Sequence, residues 1–501
     1  MKEKWYREII EPVLEVKTNI LFLIDPANLI QCTKIKECLS ETFNKVIHYE
    51  SEIKLRRLIR ENNKFLIVFS DSKSIPFDLL SIYATIELDL DNLFPLLNKR
   101  ILLQYSFADY QEIYAVYLNF KKNKYERLSE IETKEFIDSI LSSGKIKTNG
   151  RISDLIDSLK NTLKNELTTE ANTWGIISKL FGELNYLIDE NELNVNIKDL
   201  RIEINSKFKE YVLKYYNNLI YTDNSFIHSN IMNIIFSTSK GNNAVIFFDC
   251  MGFEEWNSVK EYLKGKFKFE YITKYSFSML PSETSYSGNA LFSGLTPKRI
   301  KNLNIVSNIH WKNEERLFKY CLSKIMGIDE NLVYFKRCID LKNLEIDLNS
   351  LNDYNAIGIA ISFIDHFAHS DLMDKRRLMK NIKLYLKRSN LDVLIDSLIR
   401  SGFHLYFVSD HGNIFCKGNG INVKKDLVDT RAKRYLISDK KELLEEYRTN
   451  DSELIQFKNI IGDDYLLLLS GDNMFAGKSE EGLTHGGISI EEMIVPFIEV
   501  K

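Results

Sequence analysis

The sequence predicts an α/β protein whose C-terminal half is a doubly wound sheet, preceded by a small α/β domain and a helical segment. Three observations carry this. The apolar runs AVIFF, AIGIAISFI and HLYFVS are short and each is followed directly by an aspartate, as buried strands of a parallel sheet are when they open into loops. Four more strand-like runs, interleaved with polar helical stretches, fill the first 145 or so residues. Between the two, hydrophobic residues recur at helical rather than strand spacing.

In chain order, residues 1–148 form the N-terminal α/β domain, with strands predicted at NILFLID, KFLIVFSD, ATIELDL and RILLQYS. Asp25, which closes the first of these, reads as a cap rather than a catalyst. Residues 149–240 form a helical middle domain or linker. Ile152, Leu155, Ile156, Leu159 and Leu163 share one helical face, as do Phe208, Tyr211, Val212, Tyr215 and Leu219. The polar stretch STSKGNNA (Ser237 to Ala244) reads as the linker into a third domain spanning 241–501.

Composition narrows the class. A chain of 501 residues with 44% hydrophobic and 27% charged residues is ordinary globular material with ample core. Six cysteines without a Cys-x-x-Cys pair argue against a disulfide framework or zinc ribbon. A net charge of −3, from 67 basic and 70 acidic residues, gives no global footprint for nucleic acid. The charged start MKEKWYREIIEPVLEV lacks the apolar core of a signal peptide, and no run reaches membrane-spanning length, so a cytoplasmic protein is expected.

The residues able to do chemistry lie in the second half: Asp249 in VIFFDCMG, the hydroxyls of LPSETSYSGNALFSG, Asp365 and His369 in FIDHFAHS, Asp410 and His411 in VSDHGN, and His485 in THGG. In a parallel sheet flanked by helices, ligands bind beyond the carboxyl ends of the strands, so aspartates placed there can converge on one crevice. Taken singly, each is more often a helix cap or turn former. The histidines change that balance. Asp365 and His369 are four residues apart and face the same way on a helical turn, and a turn eased by Gly412 can aim both Asp410 and His411 at one ion. Mixed carboxylate and imidazole donors suit zinc or a similar divalent ion. His366 and His404 read as packing or surface residues. A hydroxyl nucleophile needs a base or metal, and a helix N-terminus favours the phosphate it would attack, but the residues alone leave Ser282, Thr284, Ser285 and Ser287 open.

In order, these motifs resemble the alkaline phosphatase superfamily, and in detail its PglZ branch, named for the phage-growth-limitation and BREX defence systems of bacteria. The resemblance rests on DCMGFEEW, LPSETSYSGNALFSGLTP, DHFAH, SDHG and the closing HGGISIEEMIVP, and covers roughly residues 240–501. It implies an alkaline-phosphatase-like sheet, Thr284 as nucleophile, and two divalent metal ions: zinc foremost, with manganese or magnesium as alternatives. One ion falls to Asp249, Thr284, Asp410 and His411, the other to Asp365, His369 and His485. The implied activity is a metal-dependent phosphohydrolase, foremost a phosphodiesterase acting on nucleotides or nucleic acid in anti-phage defence, alongside other defence-system proteins and away from membranes. The alternatives are a scaffold subunit with a mainly structural metal site, and a phosphomonoesterase or phosphomutase. A sulfatase is disfavoured, because the Cys/Ser-x-Pro-x-Arg context of that branch is absent. Two departures from the family pattern stand out: Cys250 occupies a place where small residues or Gly are frequent, and Gly288 falls in the first turns of a predicted helix, where it costs about 1 kcal/mol relative to Ala.

Two further stretches invite a function. GDNMFAGKS (Gly471 to Ser479) resembles a phosphate-binding loop but has one residue too many between its glycines. KRRLMKNIKLYLKR (Lys375 to Arg388) has seven basic residues in fourteen and reads as a solvated helix face in preference to a guide for polyanions.

Overall fold

The computed structural model describes the chain except residues 1–4, 32, 62, 106, 122–125, 165–168, 223–224, 239–240, 342–347, 371–372, 425–426 and 428–430. Part of the expected 237–244 linker, and Cys32, therefore lie outside the described residues. The chain forms two compact units, Met1–Arg151 and Ile152–Lys501.

The first unit is built on a parallel sheet of four strands, β1 (Ile20–Ile24), β2 (Lys45–His48), β3 (Phe65–Phe69) and β4 (Ala84–Glu87), in the order β2-β3-β1-β4. The central β1 and β3 are buried along their whole length, which is why they read as unbroken apolar runs. Asp25 is indeed a local cap: its carboxylate accepts from the backbone N–H groups of Leu29 and Ile30, both at 2.8 Å. RILLQYS, expected as a strand, is instead a short helix over Lys99–Leu102. Asn98 starts it by accepting from the Arg100 N–H, and an apolar run of four residues cannot by itself distinguish the two conformations. The strand at β2, half-exposed and polar-edged, was not legible for the converse reason.

In the second unit, helices α1 (Ala171–Glu190) and α2 (Lys198–Tyr215) precede β5 (Asn243–Phe248), α3 (Phe253–Lys264), β6 (Tyr271–Phe277), α4 (Thr284–Ser293), α5 (Glu314–Tyr320), β7 (Val333–Cys338) and β8 (Ala356–Ile361). There follow α6 (Phe363–Ala368), α7 (Lys375–Arg388) and β9 (His404–Val408). Short strands β10 (Ile414–Gly418), β11 (Tyr435–Ser438), β12 (Ser452–Ile455), β13 (Tyr465–Leu469), β14 (Asn473–Met474) and β15 (Glu481–Thr484) lead to β16 (Ile494–Val500).

The main sheet has the order β6-β16-β9-β5-β8-β7. Its core, β9-β5-β8-β7, is parallel, and β16 runs antiparallel to both β9 and β6. Side chains of β5 alternate between two cores. Ala244, Ile246 and Phe248 join the one that holds the helical residues Leu155, Trp174, Phe208 and Tyr211, while Val245 and Phe247 join the other with Leu291, Phe292 and Phe318. A strand buried on both faces shows no polar alternation, hence the apolar runs. The sheet is thus doubly wound and mixed, and it occupies the C-terminal half, as the sequence predicts.

The helical segment is tied to the loops beyond the sheet. The Tyr216 hydroxyl donates to the Ser278 carbonyl at 2.8 Å and accepts from the Leu280 N–H at 3.1 Å, fixing the approach to α4. Asn205 accepts from the Ile490 N–H at 2.8 Å and donates to Glu491 at 3.0 Å, fixing the chain after His485. The glycine-rich 471–479 stretch holds only the two-residue β14 and turns, with no helix to carry a phosphate loop. No described helix is long and apolar enough to cross a membrane. All five described cysteines are free.

Candidate metal centre

Parallel pairing aligns the ends of β5, β8 and β9, and three of the aspartates follow from that. Asp249 comes directly after β5 and its N–H donates to the Ile361 carbonyl at the end of β8 (3.0 Å). Asp365 lies in α6, one turn after β8, and Asp410 lies in the loop after β9. Asp365 and His369 meet as the four-residue spacing requires, with His369 Nε2 3.0 Å from Asp365 Oδ1. His485 joins them across the chain, its Nε2 3.2 Å from that of His369. A second group comprises Asp249, Asp410 and His411, and in each group the potential donor atoms lie within 4.8 Å of one another. The groups adjoin, since the His411 and His485 rings stack with centroids 4.0 Å apart.

The tautomers follow from the second nitrogen of each ring. His411 Nδ1 is 3.0 Å from the Gly412 carbonyl and His485 Nδ1 is 3.2 Å from the Ser282 carbonyl. A carbonyl only accepts, so both Nδ1 atoms carry the proton and both Nε2 lone pairs turn inward. Burial, with repulsion from His411 and His369, holds His485 well below the ordinary imidazole range, so it stays neutral. Burial and the neighbouring Asp249 push the Asp410 carboxyl well up. Burial would also raise Asp365, but the His369 hydrogen bond and the surrounding imidazoles bring it below the usual carboxylate range.

These residues fit divalent ions on one observation above the rest: Asp410 Oδ2 is fully buried and has no hydrogen-bond partner among the described residues. A buried carboxylate oxygen left unpaired is expensive, and a cation shared with Asp249 and His411 removes the expense.

Of the four hydroxyls the sequence left open, Thr284 is the one that, among the described residues, reaches side-chain donor atoms of this group. At the first position of α4 and 8% exposed, its Oγ1 is 3.2 Å from Asp249 Oδ1 and 3.1 Å from His411 Nε2. Ser282 donates to the Gly487 carbonyl (3.0 Å), Ser285 to Glu283 (3.0 Å) and Ser287 to the Asp410 carbonyl (2.7 Å). The Glu283 carboxylate also accepts from the Ser285 N–H at 2.9 Å, so the start of α4 already holds an anion, which weakens the expectation that its free amides take the phosphate.

Local geometry accounts for both sequence departures, Cys250 and Gly288, and for Gly412. Cys250 has φ of 68°, a left-handed conformation that glycine adopts freely, and its N–H donates to Asp410 Oδ1 at 3.2 Å. Cys250→Gly should therefore change the unfolding free energy measured in urea by no more than about 1 kcal/mol, while Cys250→Val should destabilise by about 2 kcal/mol or more; equal effects would show that the φ is not what selects the residue. At Gly288 a Cβ would meet Glu314 Oε1 at 3.3 Å and Asp410 Oδ2 at 3.5 Å, so the helix penalty brings two carboxylates close. Gly412 serves proximity rather than turn freedom, because a Cβ there would lie 2.0 Å from the Glu491 carbonyl oxygen.

Sequence reasoning missed several cleft residues. A cleft of about 620 Å³ opens over Asp249, Thr284, Asp365 and His485, and its walls include Trp311, Arg337, Arg431 and the exposed His366. Arg337, near the end of the edge strand β7, donates to Asp249 Oδ2 at 2.9 Å and makes a two-pronged contact with buried Glu314 at 2.6 Å. Burial pushes the Glu314 carboxyl up to about 7 against the pull of that guanidinium. Its place at a strand end was the available signal. Arg431 contacts Asp365 Oδ2 at 3.1 Å. The basic helix α7 keeps the solvated face the sequence predicts, with Arg376, Arg377, Lys380, Lys387 and Arg388 exposed, and several of its cations are paired: Lys375 is enclosed by Glu254 and Glu255, Arg376 pairs with Asp189 (3.1 Å), Lys380 with Glu192 (2.6 Å) and Lys383 with Glu190.

Among solved structures, the chain is similar to murine ectonucleotide pyrophosphatase/phosphodiesterase 5 at 12% identity, with 52% of this chain and 87% of that one covered and a TM-score of 0.38. It is also similar to the phosphonoacetate hydrolase of Sinorhizobium meliloti 1021 at 10% identity, with 52% and 90% covered and a TM-score of 0.32. No curated protein matches the sequence. Residues 227–500, more than half of the chain and the whole of the site just described, match the model of the BREX system PglZ alkaline phosphatase-like domain, and the chain belongs to that family.

Proposed function

We propose that the protein is a metal-dependent phosphodiesterase that uses Thr284 as its nucleophile and works in the cytoplasm with the other proteins of a defence system. The observation that supports this best is the approach of Thr284 Oγ1 to both Asp249 and the inward lone pair of His411, beside an unpartnered Asp410 oxygen. Asp249, Thr284, Asp410 and His411 would hold one divalent ion, and Asp365, His369 and His485 a second. Zinc suits the donors, with manganese or magnesium as alternatives. When bound, such a pair lowers the energy of the threonine alkoxide and of the departing oxygen.

The chain's own residues supply the rest. Asp249 Oδ2 is fixed by Arg337, which keeps Oδ1 on the Thr284 side. Arg337 lines the cleft, and we assign the guanidinium N–H groups not bonded to Asp249 or Glu314 to the non-bridging oxygens of a phosphate. Attack by Thr284 Oγ1 forms an ester to phosphorus as the bond to the leaving alcohol breaks, and water then splits that ester.

The test is hydrolysis of bis(p-nitrophenyl) phosphate and p-nitrophenyl phosphate with added zinc, manganese or magnesium. Metal-dependent release, faster from the diester, is the expected result. Preference for the monoester would make the protein a phosphomonoesterase, and no release from metal-loaded protein would leave a scaffold. Independently, His485→Ala should lower bound metal by about one equivalent, measured by mass spectrometry of the elements; unchanged stoichiometry would break the Asp365, His369 and His485 grouping.

A further inference from the structure

A second, basic groove lies beside the residues that wall the cleft. His310 and Trp311 stand in the cleft wall, where the turn Trp311–Asn313 leads into α5, and Trp311 leaves 41% of its surface in solvent although it is among the largest apolar side chains in the unit. The ring is held in place: the Arg337 guanidinium, which also grips Asp249, lies 5.6 Å from its centroid and the Lys312 ammonium 5.5 Å. A fixed, exposed indole one guanidinium away from a reacting centre is a stacking surface.

The next residue, Lys312, lines a separate groove of about 450 Å³ along α5, together with Arg316, Lys319, Tyr320 and Lys324. Two acidic side chains, Glu315 and Glu330, share this lining, and Glu315 is engaged by Lys319 at 2.8 Å. The other acid of the helix, Glu314, points inward onto Arg337. Lys312, Arg316 and Lys324 are exposed and, among the described residues, none is within ion-pair distance of a carboxylate. This is the reverse of α7, where four cations are committed to carboxylates. Arg316 follows Lys312 by four residues and Lys324 follows Arg316 by eight, so at about 1.5 Å of rise per helical residue the three cations are spread along the groove rather than gathered at one point.

We propose that this face is a track for single-stranded nucleic acid: Trp311 stacks a base next to the phosphodiester in the cleft, and Lys312, Arg316 and Lys324 take the phosphates of the strand leading away from it. Base stacking on an exposed aromatic ring tolerates any sequence, and a row of cations along the backbone is equally indifferent to it, so the track selects a polynucleotide rather than a particular base. The proposal rests on the phosphodiesterase reading for its reaction but not for its binding.

The experiment measures binding of a short labelled oligothymidylate to the full chain by fluorescence anisotropy across a salt series, for wild type, Trp311→Ala and the triple variant Lys312→Glu, Arg316→Glu, Lys324→Glu. Thermal melting confirms that the variants are folded, and hydrolysis of bis(p-nitrophenyl) phosphate by wild type is measured in parallel. The expected result is wild-type binding that weakens with salt. The triple variant should bind at least about tenfold more weakly, with a log–log salt slope shallower by about 2 for three lost phosphate contacts. Trp311→Ala should lose about tenfold with its slope unchanged. Diester hydrolysis by wild type together with absent oligonucleotide binding, or binding indifferent to all four substitutions, overturns the track and leaves the phosphodiesterase standing. Track-dependent binding without diester hydrolysis supports the track as a binding surface and removes the phosphodiesterase reading.

Discussion

Thr284→Ala is expected to reduce turnover of bis(p-nitrophenyl) phosphate by on the order of a thousandfold or more while bound metal stays near the wild-type content. The expectation rests on what the other hydroxyls of the segment are doing. Ser282 is fully buried and spent on the Gly487 carbonyl; Ser287 is fully buried between the Asp410 carbonyl and His228 Nδ1, at 2.7 Å from each. Ser285 turns to Glu283. To replace Thr284, any of them would have to surrender a buried or local hydrogen bond and cross to the Asp249 side. Thr284→Ser should restore part of the activity, because it returns the oxygen while freeing the side-chain rotation that a β-branched residue restricts. Activity retained in Thr284→Ala would move the nucleophile to Ser282 or Ser285.

The largest effect on stability is expected at Arg434. This side chain and Glu492 are both completely buried, with Nε 2.9 Å from Oε1. The rest of the guanidinium serves the Leu469 carbonyl at 3.3 Å, the Gly471 carbonyl at 3.0 Å, the Asn473 carbonyl and the Cys416 sulfur. Glu492 in turn accepts from the Gly487 N–H (2.9 Å) and the Ser489 hydroxyl (2.6 Å), and its carbonyl accepts from the Gly412 N–H (3.0 Å). Glu492 therefore joins the loop after His485, through its carboxylate, to the loop of Asp410 and His411, through its carbonyl, and Arg434 neutralises that carboxylate. Arg434→Ala leaves a carboxylate buried without its cation, a loss of about 3–5 kcal/mol. The urea midpoint should fall accordingly, and turnover should fall with it at temperatures where the protein is still folded, because both loops lose their anchor. Arg434→Lys keeps the charge but not the planar fork, and should recover only part of the loss. An unfolding free energy for Arg434→Ala within about 1 kcal/mol of wild type would show that the pair is not an anchor.

What the sequence determined by itself is local and periodic. The strands β5, β8 and β9 were legible because burial on both faces removes polar residues from them, and the groups at their ends were legible because a parallel sheet brings strand ends together whatever the loops do. The Asp365 and His369 pairing needed only the pitch of a helix. Short elements without a distinctive pattern, the helix at Lys99–Leu102 and the strand at Lys45–His48, were not legible, since four residues carry too few signals.

What only the tertiary structure decided is the choice of partner. Which hydroxyl faces Asp249, which carboxylates absorb the cations of α7, and that Arg337 bridges Asp249 and Glu314 all depend on contacts between residues far apart in the chain, 88 positions apart for Arg337 and Asp249. Charge and hydroxyl groups in a sequence state only that a partner is needed. Burial makes the partner obligatory, and the packing of distant elements selects it.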